Sequence, residues 1–557
     1  DWARKGNELV LRLEAGQIAL SFAEPDVLRI RATNQPGFKG EETFVVCKKI
    51  QGQAFTVSEV QNGLWLKTSE LSVNVTLPCF GLLVCDLQGN TVFSTPARRA
   101  LDLGEQRADR VVFRCVLAPD ERIYGLGQDP MGHLDQRDAE RRMWHEWGGH
   151  RRSGNAGMPF ILSSRGYGLL LNSSWPARFA VGRAKVAEPP FQPGWAPAPW
   201  PWNESSGETH PDETAVLLDD SELDLFLICR SSLDAIHRGY MELTGYPPLP
   251  PKWALGFMQC KNRYRSQAEL LSVAHEYRRR GIPCDVLVID WLWFKEFGDL
   301  EWAQAAWPDP PGMLQELAEM GFHVLQAQHP FVERNSLKYE VFEKKGYLNR
   351  VPEGARPTFD HSNPQARQAW WEEIKRLYHD GIRGYWTDMG EIEQHYPGTT
   401  SHLGCRERVH NIYSTMWTQG LYEGQRKDFS ERVFSLPRTA YPGIQRNGAA
   451  LWSGDIDTSW EVLKDQVVIG QGVCLSGQPY WTTDIGGFFT DDRFTAELYV
   501  RWLQWGAFCP IFRTHGTRPT NEVYSFTPEA EDICANFIRL RYRLMPYIYS
   551  CARRLTE

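Results

Sequence analysis

A chain of 557 residues, 42% of them hydrophobic, is long enough for two to four domains and a sizeable core. A formal net charge of −8 supplies no basic stripe for nucleic acid. No apolar run reaches the roughly 18 residues of a membrane span and no signal peptide is visible, although an opening Asp1 in place of Met leaves removal of an upstream segment open.

Residues 1–245 read as one β-rich domain. Short alternating runs at 9–13, 55–57, 71–77, 111–117 and 167–172 are separated by Gly, Asn, Pro and Asp turns, the spacing of an antiparallel sandwich. A Pro- and Trp-rich stretch at 189–207 carries Trp195, Trp200 and Trp202. It reads either as an extended crossover held by its prolines or as an aromatic wall lent to a neighbouring site. Pro247-Pro248-Leu249-Pro250-Pro251 then punctuates the chain.

Residues 246–557 alternate short apolar runs with helical stretches. Strands are expected at 255–259, 286–290, 323–328, 384–388, 433–438, 450–455, 480–484 and 510–515. Helices are expected at 267–280, with Ser266 as N-cap, and at 312–320, 364–379, 461–469 and 528–554. Eight strands with helices between them predict a (β/α)8 TIM barrel preceded by an antiparallel β-sandwich. A dinucleotide-binding sheet lacks its signature, because no G-x-G-x-x-G follows a strand.

In such a barrel the chemistry lies at the C-terminal strand ends. Asp290, Asp388, Arg438, Asp455, Asp484 and His515 all fall there. Asp388 and Asp455 are flanked by Trp386 and Trp452. Paired carboxyls beside an arginine and aromatic rings suit hydrolysis of a sugar acetal: one attacks the anomeric carbon, the other protonates the leaving oxygen. The 22 tryptophans fit either aromatic β-cores or a carbohydrate site. The 12 cysteines form no C-x-x-C pair and no metal-ligand spacing, so they read as free thiols in a reducing cytoplasm.

At these residues the chain resembles glycoside hydrolase family 31. The match is an ordered series: Tyr124-Gly125-Leu126-Gly127, then Gly281-Ile282-Pro283-Cys284-Asp285-Val286 leading to Asp290, then Pro308-Asp309-Pro310. Trp386-Thr387-Asp388-Met389-Gly390-Glu391 follows, then Arg438, Trp452-Ser453-Gly454-Asp455, Trp481-Thr482-Thr483-Asp484-Ile485-Gly486-Gly487-Phe488 and Phe512-Arg513-Thr514-His515-Gly516. The resemblance implies a sandwich on a (β/α)8 barrel and retaining hydrolysis of α-glycosides from the non-reducing end. It makes Asp388 the nucleophile and Asp455 the acid/base. Asp290, Trp386, Arg438, Trp452, Asp484 and His515 would hold the terminal sugar, and Glu391 would support the loop after the fourth strand. Arg438 is expected to keep Asp388 ionised, while burial and the charge of Asp388 raise the pKa of Asp455.

The family usually continues past the barrel into C-terminal β-domains, whereas this sequence stops at Glu557; a truncated chain, a separate segment and a protein without those domains are all open, and the last helix is expected to expose apolar surface and to be weakly stabilised unless something covers it. Many family α-glucosidases carry Asp-Met-Asn-Glu-Pro where this chain has Asp388-Met389-Gly390-Glu391; the Gly-Glu form and Met258-Gln259-Cys260-Lys261-Asn262-Arg263-Tyr264 resemble the α-xylosidase and sulfoquinovosidase branches. The expected substrate is an oligosaccharide or other glycoside with a terminal α-glucoside or α-xyloside. An α-galactosidase, a sulfoquinovosidase, an α-transglycosylase and a non-catalytic carbohydrate-binding subunit are the alternatives. No cofactor or metal, no nucleic acid and no membrane enter the expected chemistry, and homo-oligomerisation is open.

Overall fold

The computed structural model describes residues 1–557 except 41, 98, 105–109, 147–152, 184–209 and 393–394. The 189–207 stretch therefore lies outside the described residues.

The N-terminal half contains three antiparallel sheets. The largest has eight strands, running from Trp2–Lys5 through Val27–Thr33 to Glu222–Cys229 and ending at Ile123–Gly125. A five-stranded sheet centres on Val111–Val116 and Glu213–Leu218, and a five-stranded meander covers Thr56–Val60 to Thr91–Ser94. Alternation decides which face is buried. In the meander, Leu64 pairs with Val75 and Leu66 with Val73, and all four side chains are buried. They join Leu9, Ile30, Phe113 and Leu225 from the other sheets in one core.

The C-terminal half closes into a parallel barrel. Strands one to four are Phe257–Gln259, Val286–Ile289, His323–Gln328 and Ile382–Thr387. The fifth position is narrower than the expected run at 433–438: Ser435 alone bridges Tyr385 on one side and Ala449 on the other. The sixth, seventh and eighth are Leu451–Trp452, Trp481–Thr482 and Phe512–Arg513, and the eighth pairs with the first to close the ring. The helix expected at 461–469 runs longer, as Trp460–Leu475. Two further helices, Tyr413–Asp428 and Ala496–Gly506, follow the fourth and seventh strands. After the fifth position there is only a 3-10 turn, Ile444–Asn447.

Strand alternation sorts the barrel side chains into two layers. Met258, Val286, Val288, Leu325, Ala327, Trp386, Leu436, Trp452 and Ile511 form the interior cluster. Their neighbours Phe257, Leu287, Ile289, Val324, Tyr385 and Phe512 pack outward with the helices. Extending the inner phase past each strand end points Cys260, Asp290, His329, Asp388, Arg438, Asp484 and His515 at the axis.

The final helix, Pro528–Arg554, is pinned through Arg541. This fully buried guanidinium donates to the carbonyls of Leu255, Ala507, Cys509 and Pro510 at 2.6–3.0 Å. Tyr547, on this helix, is 68% exposed. All 12 cysteines are free of disulfides. Among the described residues no helix is long and apolar enough to cross a membrane.

Candidate active site

The eight residues singled out by sequence meet at the C-terminal mouth of the barrel. Asp290 follows the second strand, Trp386 and Asp388 lie on and just past the fourth, and Arg438 follows the fifth position. Trp452 is on the sixth strand, Asp484 two residues past the seventh and His515 two past the eighth. Asp455 is out of phase with Trp452. Gly454, at φ 77°, makes the turn that sets its direction, a backbone conformation that a residue with a Cβ adopts only under strain.

Asp388 is held from three sides. Its Oδ1 faces Nη1 of Arg438 at 3.4 Å and accepts the N–H of Met389 at 2.8 Å. Its Oδ2 faces Nε2 of His329 at 3.6 Å. Met389 itself sits at φ 58°, a strained value for a non-glycine residue directly after the carboxylate. Glu391 grips the other edge of the Arg438 guanidinium through Nε and Nη2, and both side chains are almost wholly buried. This fork fixes the arginine's plane, so one cation serves two carboxylates. Burial alone would raise the pKa of Asp388; Arg438 and His329 outweigh it and hold the carboxyl below its ordinary range.

The remaining carboxyls are pushed the other way. Asp455, half-buried by solvent accessibility, is raised well above an ordinary aspartate by desolvation, against the pull of Arg438 and with the negative charges of Asp388, Asp484 and Asp290 adding to it. Burial raises Asp290 to about 8 and Asp484 to about 7, in the second case despite its ion pair with Arg513. Arg513 lies beneath the site, its guanidinium 4.9 Å from the ring centre of Trp386 and 5.4 Å from that of Trp452. The two indoles meet edge to face at 5.2 Å. Cation–π contact and the buried pair with Asp484 together set the floor.

One ring nitrogen of His515 and one oxygen each of Asp455 and Asp484 lie within 4.8 Å of one another. By donor type these three suit a divalent cation. Arg513 already neutralises Asp484, however, and a cation there would also take an oxygen of Asp455, the carboxyl set up to carry a proton.

Sequence reading did not single out Arg513 and Cys260 as members of the cluster. The signal was present: each continues the inner phase of its strand by one or two steps. Glu391 was expected to support its loop; it does so by clamping Arg438.

A family model described as the glycosyl hydrolases family 31 TIM-barrel domain matches residues 247–551, and one described as the glycosyl hydrolase 31 N-terminal galactose mutarotase-like domain matches residues 17–179. The chain belongs to glycoside hydrolase family 31. Within family 31 it is 34% identical over 505 residues to an α-xylosidase of Saccharolobus solfataricus, covering 87% of this chain and 64% of that protein. It is 26% identical to α-glucosidase 2 of Bacillus thermoamyloliquefaciens over 96% of this chain and 68% of the relative. A family 31 α-xylosidase from a soil metagenome, solved with xylose, superposes with a TM-score of 0.88 at 28% identity, over all of this chain and 86% of that one. The chain thus spans about two thirds of the length of these curated relatives.

Gly390, two residues past Asp388, packs closely against the helix after the fourth strand. A Cβ at Gly390 would stand 2.9 Å from Oγ and 3.3 Å from Cβ of Ser414 on the helix after the fourth strand. Ser414 fills the space that a larger residue at position 390 would need.

Proposed function

We propose that this chain carries the catalytic machinery of an exo-acting retaining α-glycosidase acting on a terminal α-xyloside or α-glucoside. The observation that carries this reading is the opposite treatment of two carboxyls in one pocket: Asp388 is held ionised by Arg438 and His329, while Asp455 is kept protonated. Such a split assigns nucleophile and acid.

In the first step an oxygen of Asp388 attacks the anomeric carbon as Asp455 passes its proton to the leaving oxygen. The product is a glycosyl ester of Asp388. Esterification removes the charge that helped to hold the proton on Asp455, so this carboxyl now accepts a proton from water. The water oxygen attacks the anomeric carbon from the face opposite Asp388, the ester bond breaks, and Asp388 regains its negative charge. Two inversions give net retention. Arg438 stabilises Asp388 before and after the ester forms. Asp290, Asp484 and His515 present polar atoms to the sugar's hydroxyls, and Trp386 and Trp452 supply apolar walls.

The α-xyloside is favoured within this reading by the names of the relatives at 34% and 28% identity. Free thiols throughout fit a cytoplasmic location, and self-association remains an expectation of the same reading.

The test is a panel of p-nitrophenyl α-glycosides (glucose, xylose, galactose, N-acetylgalactosamine and sulfoquinovose) with Asp388→Ala beside the unsubstituted protein. Hydrolysis of xyloside or glucoside, lowered by on the order of 10⁴-fold or more in the variant, is expected. Activity that survives Asp388→Ala overturns the assignment.

A further inference from the structure

Cys260 is fully buried just past the first barrel strand, on the inner phase. Its Sγ lies 3.0 Å from Nδ1 of His515. On the other side of that ring, Nε2 faces Oδ2 of Asp290 at 3.8 Å. Neighbouring rings restrict its rotation: the ring centres of Trp386, at right angles to it, and Phe488, tilted by 37°, each lie 5.1 Å away. With its rotation restricted, what remains to be decided is which nitrogen carries the proton.

We propose that Cys260 is a positioning residue: its thiol donates to Nδ1 of His515 and so keeps the imidazole proton on Nε2, where it points at Asp290 and the sugar pocket. Three observations converge on that direction. A neutral imidazole has one N–H and one lone pair, and each needs a suitable neighbour. Oδ2 of Asp290 faces Nε2, and one oxygen each of Asp455 and Asp484 lies within 4.8 Å of a nitrogen of the same ring, so carboxyl oxygens able to accept from an N–H stand around it. At the sulfur, Nη1 of Arg513 approaches to 4.0 Å, a donor on the lone-pair side that leaves the S–H free to turn toward His515.

The protonation states agree with this geometry. Burial, aided by Arg513 and Arg518, keeps His515 neutral, and burial keeps the Cys260 thiol protonated. With the proton on Nδ1 instead, Nε2 would carry a lone pair and the ring could not donate to a sugar hydroxyl.

The first experiment is independent of any substrate. Protein labelled with ¹⁵N in the histidine rings is compared with a His515→Gln variant, which assigns the His515 signals by their loss. A pyridine-type shift at Nδ1 and a pyrrole-type shift at Nε2 are expected; the reverse pair overturns the proposal. The second experiment rests on the glycosidase reading. Cys260→Ala should lower kcat/KM by about 10-fold, the scale of one buried hydrogen bond. Cys260→Ser, which keeps an O–H donor, should recover to within about 3-fold of the unsubstituted protein. In a His515→Ala background, Cys260→Ala should add nothing, because the residues act as a unit. Equal losses in the Ser and Ala variants, or additive losses with His515→Ala, refute the role. An unsubstituted protein that is silent on every glycoside would instead fail the glycosidase reading and leave the spectroscopic result standing on its own.

Discussion

Arg438→Met isolates the cation that keeps Asp388 ionised. A full charge at 3.4 Å, in an effective dielectric of about 20, stabilises a carboxylate by about 5 kcal/mol. Glu391 shares the same guanidinium and takes up part of its field, so loss of the cation raises the pKa of Asp388 by less than the full pair energy implies. The sign is fixed by the chemistry. In the proposed glycosidase reading Asp388 must be ionised to attack, so activity is present above its pKa and lost as pH falls through it. Raising that pKa moves the acid limb of the kcat/KM profile upward. The assay is kcat/KM for an aryl α-glycoside from pH 3 to pH 9. The variant should show its acid limb moved to higher pH and a loss of about 10²–10³-fold at the optimum. Adding Glu391→Leu removes the second buried carboxylate and should bring the limb part of the way back. An acid limb that stays in place while activity falls would refute the electrostatic role and leave Arg438 as a substrate contact alone.

Three further outcomes are expected. Asp455→Ala should cost on the order of 10³-fold with alkyl glycosides but much less with activated aryl glycosides, and should flatten the basic limb, as read from leaving-group and pH series. Gly390→Asn should lower thermal stability by about 1–3 kcal/mol through overpacking against Ser414, and Ser414→Gly should restore part of it, measured by denaturant unfolding. Arg541→Leu strips four buried carbonyls of their donor and should destabilise the barrel by at least about 3 kcal/mol, read by calorimetry, while Asp388 chemistry in the folded fraction is unaltered.

Local features of the chain carried much of this reading. Period-two runs separated by turn residues announced the sandwich strands, because a sheet with one buried face must alternate. Ser266 capping Gln267–Arg279 and Pro364 opening Pro364–Asp380 were visible for the same reason: caps and fixed φ act within a few residues. The helix Tyr413–Asp428 was not legible. It buries Ser414, Thr415, Thr418 and Gln425 beside Met416 and Trp417, which erases the apolar stripe that marks a surface helix. Strands six to eight were expected at five or six residues each, whereas their ladders shrink to two, since pairing depends on neighbours that the local pattern does not contain.

Residue types and strand phase, both written in the chain, determined that Asp290, Asp388, Arg438, Asp484 and His515 would converge on one barrel mouth. What each does to the others was decided only by closure of the barrel. Closure brings Arg513 beneath Trp386 and Trp452, sets Cys260 against His515 across 255 residues of sequence, and lets Glu391 and Asp388 share one guanidinium. Electrostatic coupling and desolvation depend on distance and surroundings in space, so the split between an ionised Asp388 and a protonated Asp455 exists only once those groups are brought together and taken out of water.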